Sequence, residues 1–174
     1  MRRLDRDKRI ANGRTALPFL PLSCYRALKT VNQNFIKMNN NLSTVQQIYA
    51  AFGQGDIPAI IDHLEDNVSW EGWADNTAQK AGVPWMKAQK GKAGAMAFFQ
   101  YVGTMMQIKD FQILSLMEGG NQVAAEFIIE ADVPGTGGHF RDEEMHLWTF
   151  NEAGKVTRLR HYTDTAKHIK AAGL

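Results

Sequence analysis

The stretch of residues 145–165, MHLWTFNEAGKVTRLRHYTDT, constrains the fold more than any other part of the chain. Residues 145–150 alternate in side-chain character, so that His146, Trp148 and Phe150 fall on one face of an extended chain. Large side chains also occupy the opposite face, which is typical of a strand that is covered at least partly on both sides. The sequence therefore predicts a strand here, with a histidine among aromatic residues on one face.

A second strand follows directly and completes a hairpin. Residues 151–154 have turn composition, and Gly154 is available for a positive φ angle. Residues 156–163 return in extended form and place Leu159 and His161 on one face. Counting back from the turn sets His161 within about one residue of the position opposite His146. Two histidines on adjacent strands among large apolar residues predict one wall of a pocket.

The remainder of the chain reads as helices first and strands afterwards. This order predicts an α+β fold, in which helices cover one face of an antiparallel sheet. We expect four helices. Ser43 and Asp56 cap the first two, the third spans residues 93–106, and a short fourth helix after Asp164 closes the chain. We expect the other strands at residues 68–73, 110–117 and 121–133, and a long binding loop or lid at residues 74–90.

Composition excludes several classes of protein. The chain has 174 residues, a formal net charge of +2 and Cys24 as its single cysteine, so an internal disulfide or a multi-cysteine metal site is ruled out. No apolar run reaches the length of about 18 residues that a membrane helix needs. We therefore expect a cytoplasmic protein that is not embedded in a membrane.

Charge divides the chain into two parts. Residues 1–38 contain nine Lys or Arg against Asp5 and Asp7, whereas residues 39–174 are mildly acidic. The first part lacks helical or strand periodicity, so we expect a disordered basic extension that folding does not require, and Met38 is a candidate alternative start. The second part is expected to form a single domain, and its acidic balance argues against binding to nucleic acid.

Three segments carry a resemblance to a known superfamily: VQQIYAAFGQGDIPAIIDHLEDNVSW, GKAGAMAFFQYV and HLWTFNEAGKVTRLRHYTDT. Together with the order of elements, they resemble the nuclear transport factor 2-like superfamily over residues 42–172. Within it, the ketosteroid isomerase-related and SnoaL-like (polyketide cyclase-like) branch is the most similar. The resemblance implies a cone-shaped curved sheet with N-terminal helices closing an apolar cavity, and a homodimer.

The resemblance also implies roles for individual residues. Tyr49 matches the tyrosine that holds an oxyanion in the isomerase, and His146 matches its second oxyanion donor. The general base of the isomerase falls on Gly72, beside Glu71, so a base at the matching position is absent. His161 matches a catalytic carboxylate of the limonene epoxide hydrolase relatives.

Two hypotheses of function follow from these residues. In the first, the protein is a cofactor-independent isomerase, cyclase or hydratase-type enzyme that moves a proton on a small, mostly apolar carbonyl or polyketide-like ligand. Glu144 shares the face of His146 by alternation and is the fourth candidate catalytic residue, after Tyr49, His146 and His161. In the second, the same cavity only binds a small molecule. The candidate ligand-pocket residues are Phe52, Trp70, Trp73, Trp85, Phe99 and Trp148.

Motifs for metals and phosphates are missing from the sequence. The five histidines are scattered, with no pair at the i, i+4 spacing of a helical metal site. The Gly-rich segment at residues 135–138 leads into a strand rather than a helix, so it predicts a hairpin loop. We therefore expect no metal and no cofactor.

Overall fold

A computed structural model describes residues 41–73 and 75–174, and the expected extension at residues 1–38 lies outside this part. The helices are α1 (41–54), α2 (Ile57–Asp62), α3 (Thr77–Ala81), α4 (Gly91–Met105) and α5 (Thr165–Ala171), with a 3-10 turn at Pro84–Met86. The strands are β1 (Leu64–Trp70), β2 (Gln89–Lys90), β3 (Gln107–Gly119), β4 (Gln122–Val133), β5 (Gly138–Phe150) and β6 (Val156–Tyr162). The predicted α+β class is confirmed.

All six strands form a single curved, unclosed sheet in the order β2-β1-β6-β5-β4-β3. Strands β3 to β6 form an antiparallel meander, as expected from the run of strands late in the chain. Strand β1 differs from the prediction, because it runs parallel to β6 and makes the sheet mixed. A parallel pair of strands distant in sequence leaves no turn signal, so alternation could not reveal it.

Several boundaries differ from the sequence prediction, among them those of α1, β1 and the expected loop at residues 74–90. Helix α1 already includes Ser43, so Ser43 does not cap it. Strand β1 begins and ends earlier than residues 68–73. The expected loop at residues 74–90 contains α3, the 3-10 turn and β2, whose segments are too short for periodicity to identify.

Two of the predicted caps are confirmed. The side chain of Asp56 accepts a hydrogen bond from the Ala59 amide at the start of α2, which contains a proline in its first turn. The side chain of Asp164 accepts from the Ala166 amide at the start of α5. Each acceptor satisfies an amide that a helix N-terminus leaves without a partner. These caps fix where α2 and α5 begin.

The core lies between the helices and the concave face of the sheet. One apolar cluster joins α1, α2 and α4 to β1, β5 and β6, with Trp70 and Trp148 among its largest buried side chains. A second cluster joins the 3-10 turn and α5 to the far ends of β4 and β5, around Trp85 and Phe140. The candidate site lies where the two clusters meet.

Candidate functional site

A pocket of about 80 Å³ lies between the helices and the concave face of the sheet. Its wall is mostly apolar and rich in aromatic residues, and its polar side chains come from α1, β5, β6 and α5. Nine of the ten residues that the sequence singled out line it: Tyr49, Phe52, Trp70, Trp85, Phe99, Glu144, His146, Trp148 and His161.

Trp73 is the exception among these residues. Strand β1 ends at Trp70, and the chain turns at Glu71, whose φ angle is +56°. Trp73 therefore packs against Tyr162, with a distance of 4.5 Å between the ring centroids, and the Arg160 guanidinium lies over its ring, 5.7 Å from the centroid. It contributes to packing outside the pocket.

Tyr49 reaches the sheet from α1 and meets two residues of β5. Its hydroxyl lies 2.8 Å from Nδ1 of His146 and accepts a hydrogen bond from Nε1 of Trp148 at 3.2 Å. The indole N–H can only donate, so the tyrosine oxygen must accept there. Alternation along β5 explains why His146 and Trp148 share the inward face.

His161 lies directly opposite His146 in the register of β5 and β6, as the hairpin geometry predicts. The centroids of the two imidazole rings are 4.6 Å apart. Nε2 of His161 lies 2.5 Å from Oε2 of Glu144, which is two residues before His146 on the same face. The hairpin therefore brings two histidines and a carboxylate together.

Glu144 connects this group to α5 and to the 3-10 turn. Its Oε1 accepts a hydrogen bond from Nε2 of His168 at 2.7 Å, and Nδ1 of His168 accepts from the Trp85 indole N–H at 2.9 Å. Because the indole can only donate, His168 must carry its proton on Nε2. Sequence reasoning missed His168, since a contact between α5 and the 3-10 turn has no signal in the local pattern.

Glu71 is the second residue that sequence reasoning missed as part of the site. Only 1% of it is exposed, and its Oε1 lies 3.3 Å from Nδ1 of His161. Alternation from Trp70 would send the next side chain to the other face, but the positive φ angle interrupts the alternation. A Cβ atom at Gly72 would lie 2.7 Å from Oγ of Ser69, so the glycine permits this tight end of the strand.

The pKa values of the two pocket histidines, His146 and His161, are shifted in opposite directions. Burial and the charge of His161 lower the pKa of His146 well below its ordinary value. Burial alone would lower the pKa of His161, but the carboxylates of Glu144 and Glu71 raise it well above the ordinary value. At neutral pH the site thus contains a neutral imidazole beside an imidazolium.

The two hydrogen-bonding acids of the site are also shifted. Burial would raise the pKa of Glu144, but the charge of His161 and hydrogen bonds from both neighbouring histidines bring it well below the ordinary value. Burial raises the pKa of Tyr49 above its usual range. Glu144 is therefore an anion and Tyr49 a neutral hydroxyl across the physiological range.

Asp142 supports the site without facing the pocket. Its buried carboxylate accepts hydrogen bonds from the Glu143 and Asp164 amides, from the Thr163 hydroxyl and from the Lys167 ammonium, at distances of 2.6–3.0 Å. These bonds tie β5 to the start of α5. They fix the helix that carries His168.

Comparisons with known proteins agree with this fold. The model of the SnoaL-like domain matches residues 45–159, which is more than half of the chain. No curated protein gave a match. In the described part of the chain, none of the helices has the length and apolarity that crossing a membrane requires.

Several solved structures are similar to the chain at low sequence identity. An NTF2-like protein from Burkholderia thailandensis is 21% identical, with a TM-score of 0.64 over 75% of this chain and 95% of its own. TerC, co-crystallised with polyporic acid, is 23% identical, with a TM-score of 0.61 over 78% and 99%. A candidate polyketide cyclase from Xanthomonas campestris is 18% identical, with a TM-score of 0.58 over 78% and 98%. These likenesses establish the fold.

Proposed function

Because this chain belongs to the SnoaL-like domain family, we propose that its pocket binds a small, mostly apolar ligand with a carbonyl oxygen and catalyses proton transfer on it. One observation carries the proposal: Tyr49, His146, His161 and Glu144 converge in a pocket whose other lining residues are mostly apolar. Placing polar side chains in an apolar core costs free energy, so their grouping here favours a chemical role.

The protonation state of each residue determines its role in the proposed reaction. Tyr49 donates its hydroxyl proton to Nδ1 of His146, so the neutral imidazole carries its own proton on Nε2 and donates it to the ligand oxygen. The His161 imidazolium, directly opposite His146, stabilises the negative charge that develops on this oxygen when a neighbouring carbon loses a proton. Glu144, an anion that lines the pocket, takes this proton directly from the carbon, because both ring nitrogens of the His161 imidazolium already carry protons.

Two of the structural comparisons support a small-molecule ligand. A protein of the same fold, TerC, was co-crystallised with polyporic acid, and another is described as a candidate polyketide cyclase. Both are less than 25% identical to this chain, so they guide the choice of probes and no more. Aryl ketones, cyclic ketones and polyporic acid form a suitable first panel.

A thermal-shift screen of this panel, in the presence of a metal chelator, tests the proposal. A ligand that binds the folded state at about 100 times its dissociation constant adds about 2.7 kcal/mol of stability. We expect at least one carbonyl compound to raise the melting temperature, and NMR in deuterated water to show exchange of its α-protons. A panel in which no compound shifts the melting temperature would contradict the proposal.

Replacing His146 with Leu removes a polar contact from the pocket. We expect the affinity for the best compound of the screen to fall by about tenfold or more, since a hydrogen bond to the ligand oxygen is lost. The free energy of unfolding should fall by only about 1–3 kcal/mol, because leucine fills the space but leaves the Tyr49 hydroxyl without one of its two partners. Isothermal titration calorimetry and chemical denaturation measure the two quantities.

The matched control is the substitution of His139 with Leu. His139 lies on the same strand, but about half of its side chain is exposed. This variant should bind the compound with unchanged affinity. Equal affinities of the His146 variant and the wild type would place the ligand away from the polar residues.

A non-catalytic binding protein is the second candidate function. It is favoured by the hydrogen bonds of Tyr49 and Glu144, which are directed to other side chains of the site. A binding protein uses such groups to shape the pocket, whereas an enzyme must redirect at least one of them to the substrate. A compound that binds tightly without α-proton exchange, and whose affinity does not depend on His146, would favour this function.

We also infer a homodimer that forms through the convex face of the sheet. Met117 and Met145, with 49% and 37% of their surfaces exposed, lie on this face beside Glu126, because they pair with β4 residues whose side chains point away from the pocket. Exposed apolar side chains on a sheet favour association.

Sedimentation at micromolar concentration should give twice the mass of one chain. The substitution of Met117 with Glu should give a monomer, and a monomeric wild type would contradict this inference.

A further inference from the structure

The carboxyl group of Glu71 and the imidazole of His161 meet without forming a hydrogen bond. Oε1 of Glu71 lies 3.3 Å from Nδ1 of His161, and both atoms are buried with no hydrogen-bond partner among the described residues. Buried polar atoms are nearly always partnered. An additional ligand or ion would therefore contact these two atoms.

A third potential ligand lies next to this pair. One ligand atom from each of Glu71, His146 and His161, a carboxylate oxygen and two ring nitrogens, all lie within 4.8 Å of one another. Nδ1 of His146 is hydrogen-bonded to the Tyr49 hydroxyl, so the ring keeps its other nitrogen for an ion. Two ligand atoms bound to one tetrahedral Zn²⁺ ion are about 3.3–3.4 Å apart, which matches the separation between Glu71 and His161.

We propose that Glu71, His146 and His161 form a binding site for a divalent transition-metal ion of the Zn²⁺ type. Two imidazole nitrogens and one carboxylate oxygen suit zinc, cobalt or iron(II) better than calcium or magnesium, which prefer oxygen ligands. His146 and His161 line the pocket, so a fourth position on the ion faces the pocket interior. Three protein ligands with an open fourth position are typical of catalytic zinc sites.

The surrounding contacts orient the ligands as metal sites require. A histidine that binds a metal usually donates its other ring N–H to a carboxylate, and Nε2 of His161 lies 2.5 Å from Glu144. Glu144 is held in turn by His168, and the backbone carbonyl of Glu71 accepts a hydrogen bond from the Gln79 side chain. The positive φ angle of Glu71 turns its side chain towards this group.

This metal site is distinct from the proposed function. Nδ1 of His161 can hold either a proton or an ion, so the two proposals describe different states of the protein. The metal-loaded protein lacks the imidazolium that stabilises the developing charge, so proton transfer as described above belongs to the metal-free protein. The sequence predicts no metal, since the three ligands come from β5, β6 and the end of β1 and show no motif spacing. Only the fold brings them together.

The experiment uses the full chain, freed of metal by dialysis against a chelator, and Zn²⁺ as the probe. Titration against a chromophoric chelator should give one tightly bound ion per chain. The substitution E71Q keeps the size of the side chain but removes the anionic ligand, and it should weaken binding by about 100-fold or more. If E71Q does not melt cooperatively, the substitution of His146 with Leu serves in its place and should have the same effect.

The substitution H139N is the matched control for an adventitious surface site. His139 is exposed and lies 2.8 Å from Asp132 and 3.7 Å from Glu130, so this group is where a surface ion would bind. H139N should retain the ion. Absence of binding to the wild type, or loss of the ion in H139N with retention in E71Q, would overturn the proposal.

Co²⁺ provides a second measurement that identifies the ligands. A four-coordinate site with nitrogen and oxygen ligands should give visible absorption bands without a thiolate charge-transfer band. A thiolate band would assign the ion to Cys24 and overturn the proposal. Because neither measurement needs an organic ligand, a negative result here leaves the pocket and its proposed reaction untouched, and a failed ligand screen leaves the metal site untouched.

Discussion

The substitution of Asp142 with Ala is expected to lower the free energy of unfolding by about 3–5 kcal/mol. Its carboxylate, only 3% exposed, accepts four hydrogen bonds, one of them from the Lys167 ammonium. Alanine leaves the Thr163 hydroxyl and two backbone amides without their acceptor. Chemical denaturation of the variant and the wild type measures the loss.

Two further variants show whether the loss comes from these bonds. The substitution of Asp142 with Asn keeps one acceptor oxygen but removes the charge, so its stability should fall between alanine and the wild type. The substitution of Asp132 with Ala removes a partly exposed surface aspartate that pairs with Lys109, and it should melt close to the wild type. If the Asp142 and Asp132 variants melted alike, the network around Asp142 would not hold α5 in place.

The substitution of Gly138 with Ala is expected to destabilise the protein by about 3 kcal/mol. A Cβ atom at this position would lie 2.7 Å from the backbone carbonyl carbon of Ala171, in contact with the carbonyl group. The same carbonyl accepts a hydrogen bond from the Thr136 hydroxyl, so it cannot move away without cost. Because the obstacle is backbone rather than a flexible side chain, β5 and α5 must separate.

The substitution of Gly103 with Ala is the matched control, and it should have the opposite sign. Gly103 lies in α4, and nothing is within 4 Å of a Cβ atom placed there. Alanine in a helix is more stable than glycine by about 0.5–1 kcal/mol. Equal destabilisation by the two substitutions would mean that the approach of α5 to the start of β5 is not as close as described.

The hairpin shows how much of this site follows from sequence. Alternation placed His146 and Trp148 on the concave face, and counting from the turn paired His146 with His161, as the register of β5 and β6 has it. Both inferences use only the period of a strand and the length of a turn. These are local properties, so the sequence contains them in full.

Glu71 and His168 were outside the reach of the same reasoning. The side chain of Glu71 faces the site because of one positive φ angle, and no residue type encodes that angle as glycine does in a turn. His168 and Trp85 meet only because α5 and the 3-10 turn both approach Glu144. Such contacts depend on the whole fold, and a single sequence does not display them.

The protonation states of the histidines test the central claim most directly. In a ¹⁵N NMR spectrum recorded at about pH 7.5 with a metal chelator present, His161 should carry protons on both ring nitrogens, since two carboxylates raise its pKa. His146 should carry one proton, and its signals should move when a pocket ligand is added. A neutral His161, together with His146 signals that no ligand displaces, would contradict the account of the site.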